Sequence, residues 1–418
     1  MKRFVLLILL LAMALSMTGC LTVTGGNDQP DELPPEEQHL TADVDETEVW
    51  HRRHDDVWSG QDEPELVSRD FERISGAAAN GMTVGQELLL LDFMDCYYQS
   101  ISQLRVIDPA DLFAEPKEVA YHKTIWHDLC VIRKLSPIDL TMTSYSYSLR
   151  CVSITPSEET EGDVDMVLRE SNVTYFAGLN GIPSEQFGIK HTFTLRGVGD
   201  RWLIVRHWSD DNAYYSADYD EETQQDRNFP AITDYIQARR ELPRDEQVSA
   251  TAAHPYDRAA ARQYMLSYVG KRNGDFKAYD DYGGNCMNFG SQVLLSGGIP
   301  MDTSGGYETG WYWYSASQTT LPWVNVGWFL EYAAAEREHG LVAVVNAPYF
   351  TGETGDIITM GVEEPANHTT VILDTIKDEN GAVVDYLLCS NTADLRNFPA
   401  SAYYYTNRQL TKIIGWND

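Results

Sequence analysis

The segment that decides the fold of the C-terminal part is Tyr282-Gly283-Gly284-Asn285-Cys286-Met287-Asn288-Phe289-Gly290-Ser291-Gln292-Val293-Leu294-Leu295. Its two glycines end an irregular stretch, and Asn285 belongs to the residue types that favour a helix N-cap. The apolar spacing of the last residues predicts a helix that begins here. Cys286 is therefore predicted on the first turn of a helix.

A cysteine at this place has the chemistry of a nucleophile. Unsatisfied backbone N–H groups and the helix dipole stabilise a thiolate, so the sequence predicts a lowered pKa for Cys286. The backbone N–H of Cys286 is the predicted oxyanion donor, with Tyr282 as a second candidate. A buried structural thiol and a packing tyrosine are the alternatives.

A nucleophilic cysteine needs a base, and His368 is the candidate. It opens an alternating strand that follows the strand-like residues 355–360, and a strand is a rigid support for a general base. A third strand ends near Asn391, which we predict to orient the imidazole, with Asp394 as the alternative. Both polar residues also suit an ordinary turn, and His368 could be a strand histidine without a role.

Residues 256–418 resemble a known family, the bacterial putative amidase domain, which is related to the NlpC/P60 and CHAP cysteine peptidases. The resemblance rests on several motifs in order along the chain. They are Tyr256-Asp257-Arg258-Ala259-Ala260, the 283–292 segment, Gly297-Gly298, the tryptophans 311, 313, 323 and 328, Gly355-Asp356 and His368.

The resemblance implies a papain-like α+β fold in which Cys286 is the nucleophile and His368 the base. The family usually has Asp before the nucleophile and often His where Asn391 stands. Asn391 matches the third residue of CHAP-type enzymes, but these departures leave the orienting group open. Acyl transfer by a thiolate needs no metal or organic cofactor, and no metal-spaced Cys/His cluster is visible.

Residues 1–19 have the pattern of a lipoprotein signal peptide. Lys2 and Arg3 precede an uncharged, mostly apolar run at 4–17 that is shorter than the roughly 20 residues of a membrane span. Small residues then lead to Cys20, as in a bacterial lipobox, so we expect lipidation of Cys20 and a lipid-anchored, extracytoplasmic protein. An ordinary secretory signal peptide is the alternative.

Four further regions are predicted. Residues 20–80 are an acidic disordered tether, since residues 21–80 carry 16 acidic and 4 basic side chains. Residues 81–210 combine two helical stretches with strand-like runs that end in a hairpin, a pattern typical of α+β folds and similar to an NTF2-like cone. Residues 211–254 are a linker with a short helix at 228–241, and 255–418 form the amidase-like domain.

The composition excludes some functions. The 418 residues have a formal net charge of −32, which argues against nucleic-acid binding and against docking on anionic lipid through a basic face. Five cysteines follow Cys20, and an odd number leaves at least one thiol free or paired between chains.

The leading hypothesis is a surface-anchored cysteine amidase or peptidase that hydrolyses amide bonds, with cell-wall peptides as the expected substrate. The main alternative is a non-catalytic surface lipoprotein that binds a peptide or another partner. A further alternative keeps the chemistry and transfers the acyl group to an amine instead of water.

Overall fold

The computed structural model describes residues 52–53, 73–362, 366–405 and 407–418. Contacts divide the chain into units Met1–Gln38 and His39–Asp418, and all described residues belong to the second. The predicted signal peptide, the lipidation site Cys20 and most of the predicted tether lie outside the described residues.

The helices of the described residues are named in chain order. They are α1 (Val84–Ser102), α2 (Pro116–Leu135), α3 (Asn212–Ser216), α4 (Phe229–Arg240), α5 (Arg258–Tyr268), α6 (Cys286–Ser296), α7 (Leu321–Val324) and α8 (Val326–Ala334). None of them is both long and apolar enough to cross a membrane.

The strands are named in the same way. They are β1 (Arg52–Arg53), β2 (Met142–Pro156), β3 (Asp163–Phe176), β4 (Pro183–Val198), β5 (Arg201–Ser209), β6 (Tyr219–Asp220), β7 (Gln225–Asp226), β8 (His254–Pro255), β9 (Trp313–Ser315), β10 (Gln318–Thr319), β11 (Gly340–Ala347), β12 (Ile357–Gly361), β13 (His368–Lys377), β14 (Val383–Ser390), β15 (Asp394–Pro399) and β16 (Asn407–Asn417).

Twelve of these strands form one antiparallel sheet, in the order β1-β2-β3-β4-β15-β14-β13-β12-β16-β11. Strand β5 pairs with β4, and β8 pairs with β16. The predicted N-terminal and C-terminal domains meet at the β4–β15 pair, where Glu185 lies opposite Arg396 and forms an ion pair with it. The two regions therefore share one sheet.

The prediction of an α+β fold is confirmed, while the NTF2-like and papain-like assignments stay predictions. Sequence patterns of a few residues predicted several helices and helix ends correctly. The predicted helix at 228–241 is observed as α4, and Asp257 caps α5 by accepting hydrogen bonds from the amides of Ala259 and Ala260. The capping follows from a short carboxylate placed where the first turn has free N–H groups.

Two predicted boundaries differ from the structure. The last residues of the predicted tether are part of the folded body, since Ile74 is fully buried and Ser75 bridges to Arg150. The predicted linker also packs against the body, with Tyr214 of α3 and Ile232 of α4 in the core. A few apolar side chains in a polar segment are enough to fix it when the fold offers them a buried place.

The C-terminal strands are buried on both faces. Side chains alternate along a strand, so Ile357 and Val371 join the core that contains α5 and α6. Their neighbours Ile358 and Ile372 join the larger core that includes α1 and α2. The strand that carries His368 therefore lies between two cores.

Candidate active site

Cys286 is the first residue of α6, as predicted, and is 7% exposed. The chain reaches it through Gly283 and Gly284, whose φ angles are +98° and +114°. Side chains disfavour this backbone region, which explains the two glycines. The turn thus places the cysteine at the start of a buried helix.

The predicted capping role of Asn285 is wrong. Its side chain makes no capping hydrogen bond to the first turn of α6. The Oδ1 atom instead accepts from the amide of Tyr279 at 3.1 Å and from Nδ2 of Asn288 at 2.8 Å. The tertiary structure offers Asn285 two other donors, and the N–H groups at the start of α6 stay free of side-chain caps.

The other polar residues of the motif, Asn288 and Ser291, are buried and form hydrogen bonds with two tryptophans. Asn288 accepts from the indole N–H of Trp323 at 2.9 Å, and the Ser291 hydroxyl donates to the carbonyl of Trp323 at 2.8 Å. Trp311 donates to the same hydroxyl at 3.0 Å. Both tryptophans are fully buried and belong to the core around α6. The motif therefore also holds α6 in place.

The loop that follows β14 supports the turn before Cys286. Thr392 has a φ of +82°, which is unusual for a β-branched residue. Its hydroxyl accepts a hydrogen bond from the amide of Asn285 at 2.5 Å. This contact holds Thr392 in its unusual conformation, and backbone strain of this kind is frequent near functional sites.

Asp394, the alternative orienting residue, has a different role in the structure. Its carboxylate accepts from the Thr392 amide and forms an ion pair with Arg272 at 2.9 Å. Arg272 also binds Asp280, which lies in the one-turn helix before the two glycines. The network ties the loop after β14 to the loop before α6.

His368 opens β13 as predicted and is 7% exposed. Its Nε2 lies 3.5 Å from the hydroxyl of Tyr403, and its ring also contacts Tyr405. The register places His368 opposite Met360. By strand alternation His368 therefore faces the larger core, whereas Thr369 faces α6 and contacts Met287.

The backbone next to His368 contacts the cysteine. Burial raises the pKa of the Cys286 thiol, and hydrogen bonds from the backbone of Thr369, Met287 and Cys286 itself act in the opposite direction. The structure thus contradicts the predicted lowering of this pKa. Burial removes the water that would stabilise a thiolate, and the hydrogen bonds at the start of the helix do not fully replace that stabilisation.

The imidazole is also neutral at pH 7. Burial lowers the pKa of His368 to about 4. Within the described residues no hydrogen bond joins His368 to Cys286. Burial is the main cause that raises the pKa of Tyr403 and Tyr405, and the negative charge of a Cys286 thiolate acts in the same direction.

Asn391 and Tyr282 are the remaining residues with predicted roles in the site. Asn391 is buried and donates its side-chain N–H to the carbonyl of Lys271 at 3.2 Å. In the described part of the chain it makes no hydrogen bond to His368, and its orienting role stays a prediction. Tyr282 is 69% exposed and its ring contacts the ammonium of Lys277, so its oxyanion role also stays a prediction.

Three residues near the site were missed by the sequence-based predictions: Tyr403, Tyr405 and Thr392. A run of three tyrosines at 403–405 is visible in the sequence, but nothing in one sequence separates such a run from core packing. Thr392 and Asn285 are 107 residues apart in the chain, so their contact has no local signal. Long-range contacts of this kind are set by the whole fold, and one sequence gives no direct measure of them.

Among the described residues, no group of three or more His, Cys, Asp or Glu side chains is placed to hold a metal ion. The cysteines at 96, 130, 286 and 389 are free thiols in the described part of the chain. Cys389 is fully buried, and burial is the main cause that raises the pKa of its thiol.

The C-terminal part of the chain, which contains Cys286 and His368, is similar to known proteins. Residues 255–414 match the family model described as "Putative amidase domain". The uncharacterized protein YhbB of Bacillus subtilis (strain 168) is 32% identical over 145 residues, which are 34% of this chain and 43% of that protein. No solved structure matches the chain. Residues 255–414 are therefore similar to the putative amidase domain.

Proposed function

We propose that the chain is a cysteine amidase or peptidase in which Cys286 is the nucleophile and His368 the general base. The observation that carries the proposal is the position of Cys286 at the start of α6, within the region similar to the amidase family. The backbone of Thr369, next to His368, contacts its sulfur. This backbone contact brings Cys286 to the end of β13 that His368 opens, and it supports the pairing of the two residues.

The proposed reaction begins from a neutral pair. As the sulfur attacks the amide carbonyl, the S–C bond forms and the thiol proton moves to His368. The imidazolium then gives this proton to the leaving amine as the C–N bond breaks. A water molecule attacks the thioester, with His368 as the base, and the S–C bond breaks to restore the thiol. The backbone N–H groups at the start of α6 are the proposed oxyanion donors.

The experiment measures amine release from cell-wall peptide fragments by the full chain, with product masses read by mass spectrometry. We expect Cys286→Ala to lower the rate by at least about 1,000-fold, because the nucleophile is removed. Cys389→Ala is the matched control, since it removes another buried thiol of the same region, on β14. This control is expected to keep the wild-type rate.

A Cys286→Ala chain that stays folded and keeps its rate within about tenfold of wild type contradicts the proposal. Product masses also decide the acceptor. Hydrolysis adds water to the acyl fragment, whereas an acyltransferase joins that fragment to an added amine. Thermal unfolding of each variant shows whether a lost rate reflects lost folding.

The substrate and the location are part of the proposal. The family similarity and the lipobox-like segment that ends at Cys20 support an enzyme anchored outside the cytoplasm and acting on cell-wall peptides. We expect radiolabelled palmitate to enter the wild-type chain in a bacterial host and not the Cys20→Ala chain. Label that persists in Cys20→Ala contradicts the anchor.

A second candidate function is peptide binding without turnover. It is favoured by the raised pKa of Cys286 and by the lack, within the described residues, of a hydrogen bond between Cys286 and His368. The two candidates differ in the amine assay. Peptides that bind the wild-type chain and the Cys286→Ala chain equally, with no amine released by either, favour the binding protein.

A further inference from the structure

A small cavity lies between α4 and the strands β14 and β16. Four of the side chains that line it are arginines, and we call it the arginine cavity: Arg239, Arg240, Arg244 and Arg408. It has about 20 Å³ in which the centre of a water-sized atom can lie. A space of this size holds a water molecule or one small ion, and it is too small for an organic ligand.

The four arginines lack carboxylate partners. None of them forms an ion pair with a described residue, although the chain has 63 acidic and only 31 basic side chains. Other arginines of the C-terminal half do find partners: Arg258 pairs with Asp356, Arg272 with Asp394 and Arg396 with Glu185. A cluster of unpaired cations in a chain with a net charge of −32 indicates a site for an anion from outside the chain.

Two of these arginines carry buried N–H donors without a partner. Arg408 of β16 is 5% exposed, and its Nε atom has no hydrogen-bond partner among the described residues. The Nε and Nη1 atoms of Arg239 are buried and also lack a partner in this part of the chain. A buried donor without an acceptor costs free energy, so an anion that accepts from these groups stabilises the folded chain.

Direct contacts bring Arg239 and Arg408 together. Arg239 donates from Nη2 to the backbone carbonyl of Arg408 at 2.8 Å, and its guanidinium lies 3.3 Å from the ring centre of Tyr349. The ring of Tyr235 lies 4.5 Å from the Arg239 guanidinium and 5.5 Å from that of Arg408. Two like charges thus share one buried region, where a bound anion offsets their repulsion.

The carboxylate that lines the arginine cavity is occupied by other donors. Asp385 is 3% exposed and accepts hydrogen bonds from the amide and the hydroxyl of Ser401. One carboxylate does not balance four guanidinium groups, so the cavity keeps an excess of positive charge. The acceptor that is missing is therefore an anion and not a neutral molecule such as water.

We propose that the arginine cavity binds one chloride ion. The ion accepts a hydrogen bond from Nε of Arg408 and one from an unpartnered N–H of Arg239. Chloride is slightly larger than a water molecule, so it fits the space, whereas phosphate and sulfate are too large for it. Arg240 and Arg244 add positive potential that attracts the ion. This inference is independent of amide hydrolysis, since it uses no residue of the candidate active site.

The experiment measures the chlorine NMR line width of sodium chloride with the full chain, because a chloride ion that exchanges with a protein site relaxes faster than a free ion. The thermal unfolding midpoint is measured in sodium chloride and in sodium gluconate at equal concentration. Gluconate has the same charge and is too large for the arginine cavity. At about 200 mM salt we expect a midpoint at least about 2 °C higher in chloride than in gluconate.

The variants Arg239→Met and Arg408→Met are each expected to weaken chloride binding at least about tenfold, because a charged donor is lost. They are also expected to remove the difference between the two salts. Arg337→Met is the matched control. This arginine also lies over a tyrosine ring, that of Tyr332 at 3.9 Å, but it pairs with Asp302 at 3.6 Å. Its variant is expected to keep the chloride effect.

Three results overturn the proposal. One is that the wild-type chain unfolds at the same midpoint in chloride and in gluconate. Another is that a folded Arg239→Met chain keeps both the wild-type line width and the difference between the salts. The third is that phosphate displaces chloride from the wild-type chain, because the site would then accept a larger anion. If neither arginine variant folds, the salt comparison and the phosphate competition on the wild-type chain decide the question.

Discussion

The two halves of the shared sheet hold their buried histidines with different chemistry. In the N-terminal half, His191 of β4 hydrogen-bonds the Glu170 carboxylate at 2.8 Å and His207 at 3.0 Å. In the C-terminal half, His368 of β13 contacts the Tyr403 hydroxyl at 3.5 Å, and no carboxylate within the described residues bonds to it. The carboxylate–imidazole pair therefore lies in the half without the family similarity.

The comparison shows that a pair resembling catalytic residues is not sufficient to locate the chemistry. A candidate nucleophile is also needed near the imidazole, and the backbone of Thr369, next to His368, hydrogen-bonds the sulfur of Cys286. In the C-terminal half, burial favours the neutral forms of the Cys286 thiol and the His368 imidazole, which are the proposed reacting groups. We therefore expect these groups to react by concerted proton transfer, and the following predictions test the contrast between the halves.

The largest expected effect separates the two histidines by activity. His368→Gln is expected to lower the rate of amine release by about 100-fold to 10,000-fold, because the general base is lost. His191→Gln is the matched control in the other half and is expected to keep the rate of the folded chain. A folded His191→Gln chain that loses as much activity as His368→Gln contradicts the assignment.

The pH profile tests the neutral imidazole. Burial lowers the pKa of His368 to about 4, and the base must be unprotonated to accept the thiol proton. The rate of amine release is therefore expected to stay level down to about pH 5 and to fall below about pH 4. An acid limb near the ordinary histidine value of about 6.5 contradicts this expectation.

The lowered pKa of His368 also predicts how the free energy of unfolding changes with pH. The pKa of His368 is lower in the folded state than in the unfolded state, so the unfolded chain takes up the proton first as pH falls. The free energy of unfolding is therefore expected to decrease between about pH 6.5 and pH 4. Far-ultraviolet circular dichroism at each pH measures the folded fraction. Within the pH range in which the chain stays folded, a change in the rate of amine release reports on the protonation of His368 and not on unfolding.

A stability comparison tests the polar contacts of the two histidines. Glu170→Gln leaves buried donors of Tyr98, Asn172 and His191 facing an amide that accepts at only one atom, so we expect a loss of about 3 kcal/mol. Tyr403→Phe removes one long hydrogen bond and is expected to cost about 1 kcal/mol or less. Urea unfolding measures both.

If Tyr403→Phe destabilises the chain as strongly as Glu170→Gln does, the contrast between the halves is wrong. Equal and small losses would show instead that water replaces the partners of Glu170. Both variants keep the size of the original side chain closely, so cavity effects contribute little to the difference.

The smallest expected difference between two variants concerns the two glycines before Cys286. A Cβ atom at Gly284 would lie 3.1 Å from the hydroxyl of Thr392, whereas a Cβ at Gly283 meets nothing within 4 Å. Both positions have positive φ, so each alanine carries backbone strain of about 1 kcal/mol. We expect Gly284→Ala to cost about 2 kcal/mol in urea unfolding and Gly283→Ala about half as much. Equal losses contradict the contact with Thr392.

Much of the local structure could be predicted from the sequence. The start of α6 at Cys286, the cap of α5 by Asp257 and the strand that His368 opens all follow from periodicity, capping and turn residues. These signals are local, because they depend on neighbours within a few positions along the chain. Their success covers the elements that carry the candidate site.

The environment of the candidate site could not be predicted in the same way. The helix start alone predicts a lowered thiol pKa for Cys286, but burial raises it. The residue type of Asn285 predicts a cap, but Tyr279 and Asn288 occupy its oxygen. Each error comes from a contact or a degree of burial that the fold supplies, which a local pattern does not report.

The sequence by itself determined the α+β class, the family similarity of residues 255–414 and the elements that carry Cys286 and His368. Only the tertiary structure decided that the two halves share one sheet, that burial favours the neutral thiol of Cys286 and the neutral imidazole of His368, and that Arg239 and Arg408 line one cavity. The physical reason is that periodicity and capping act over one or two turns of chain. Burial, charge and pairing depend instead on segments that are distant in sequence and adjacent only after folding.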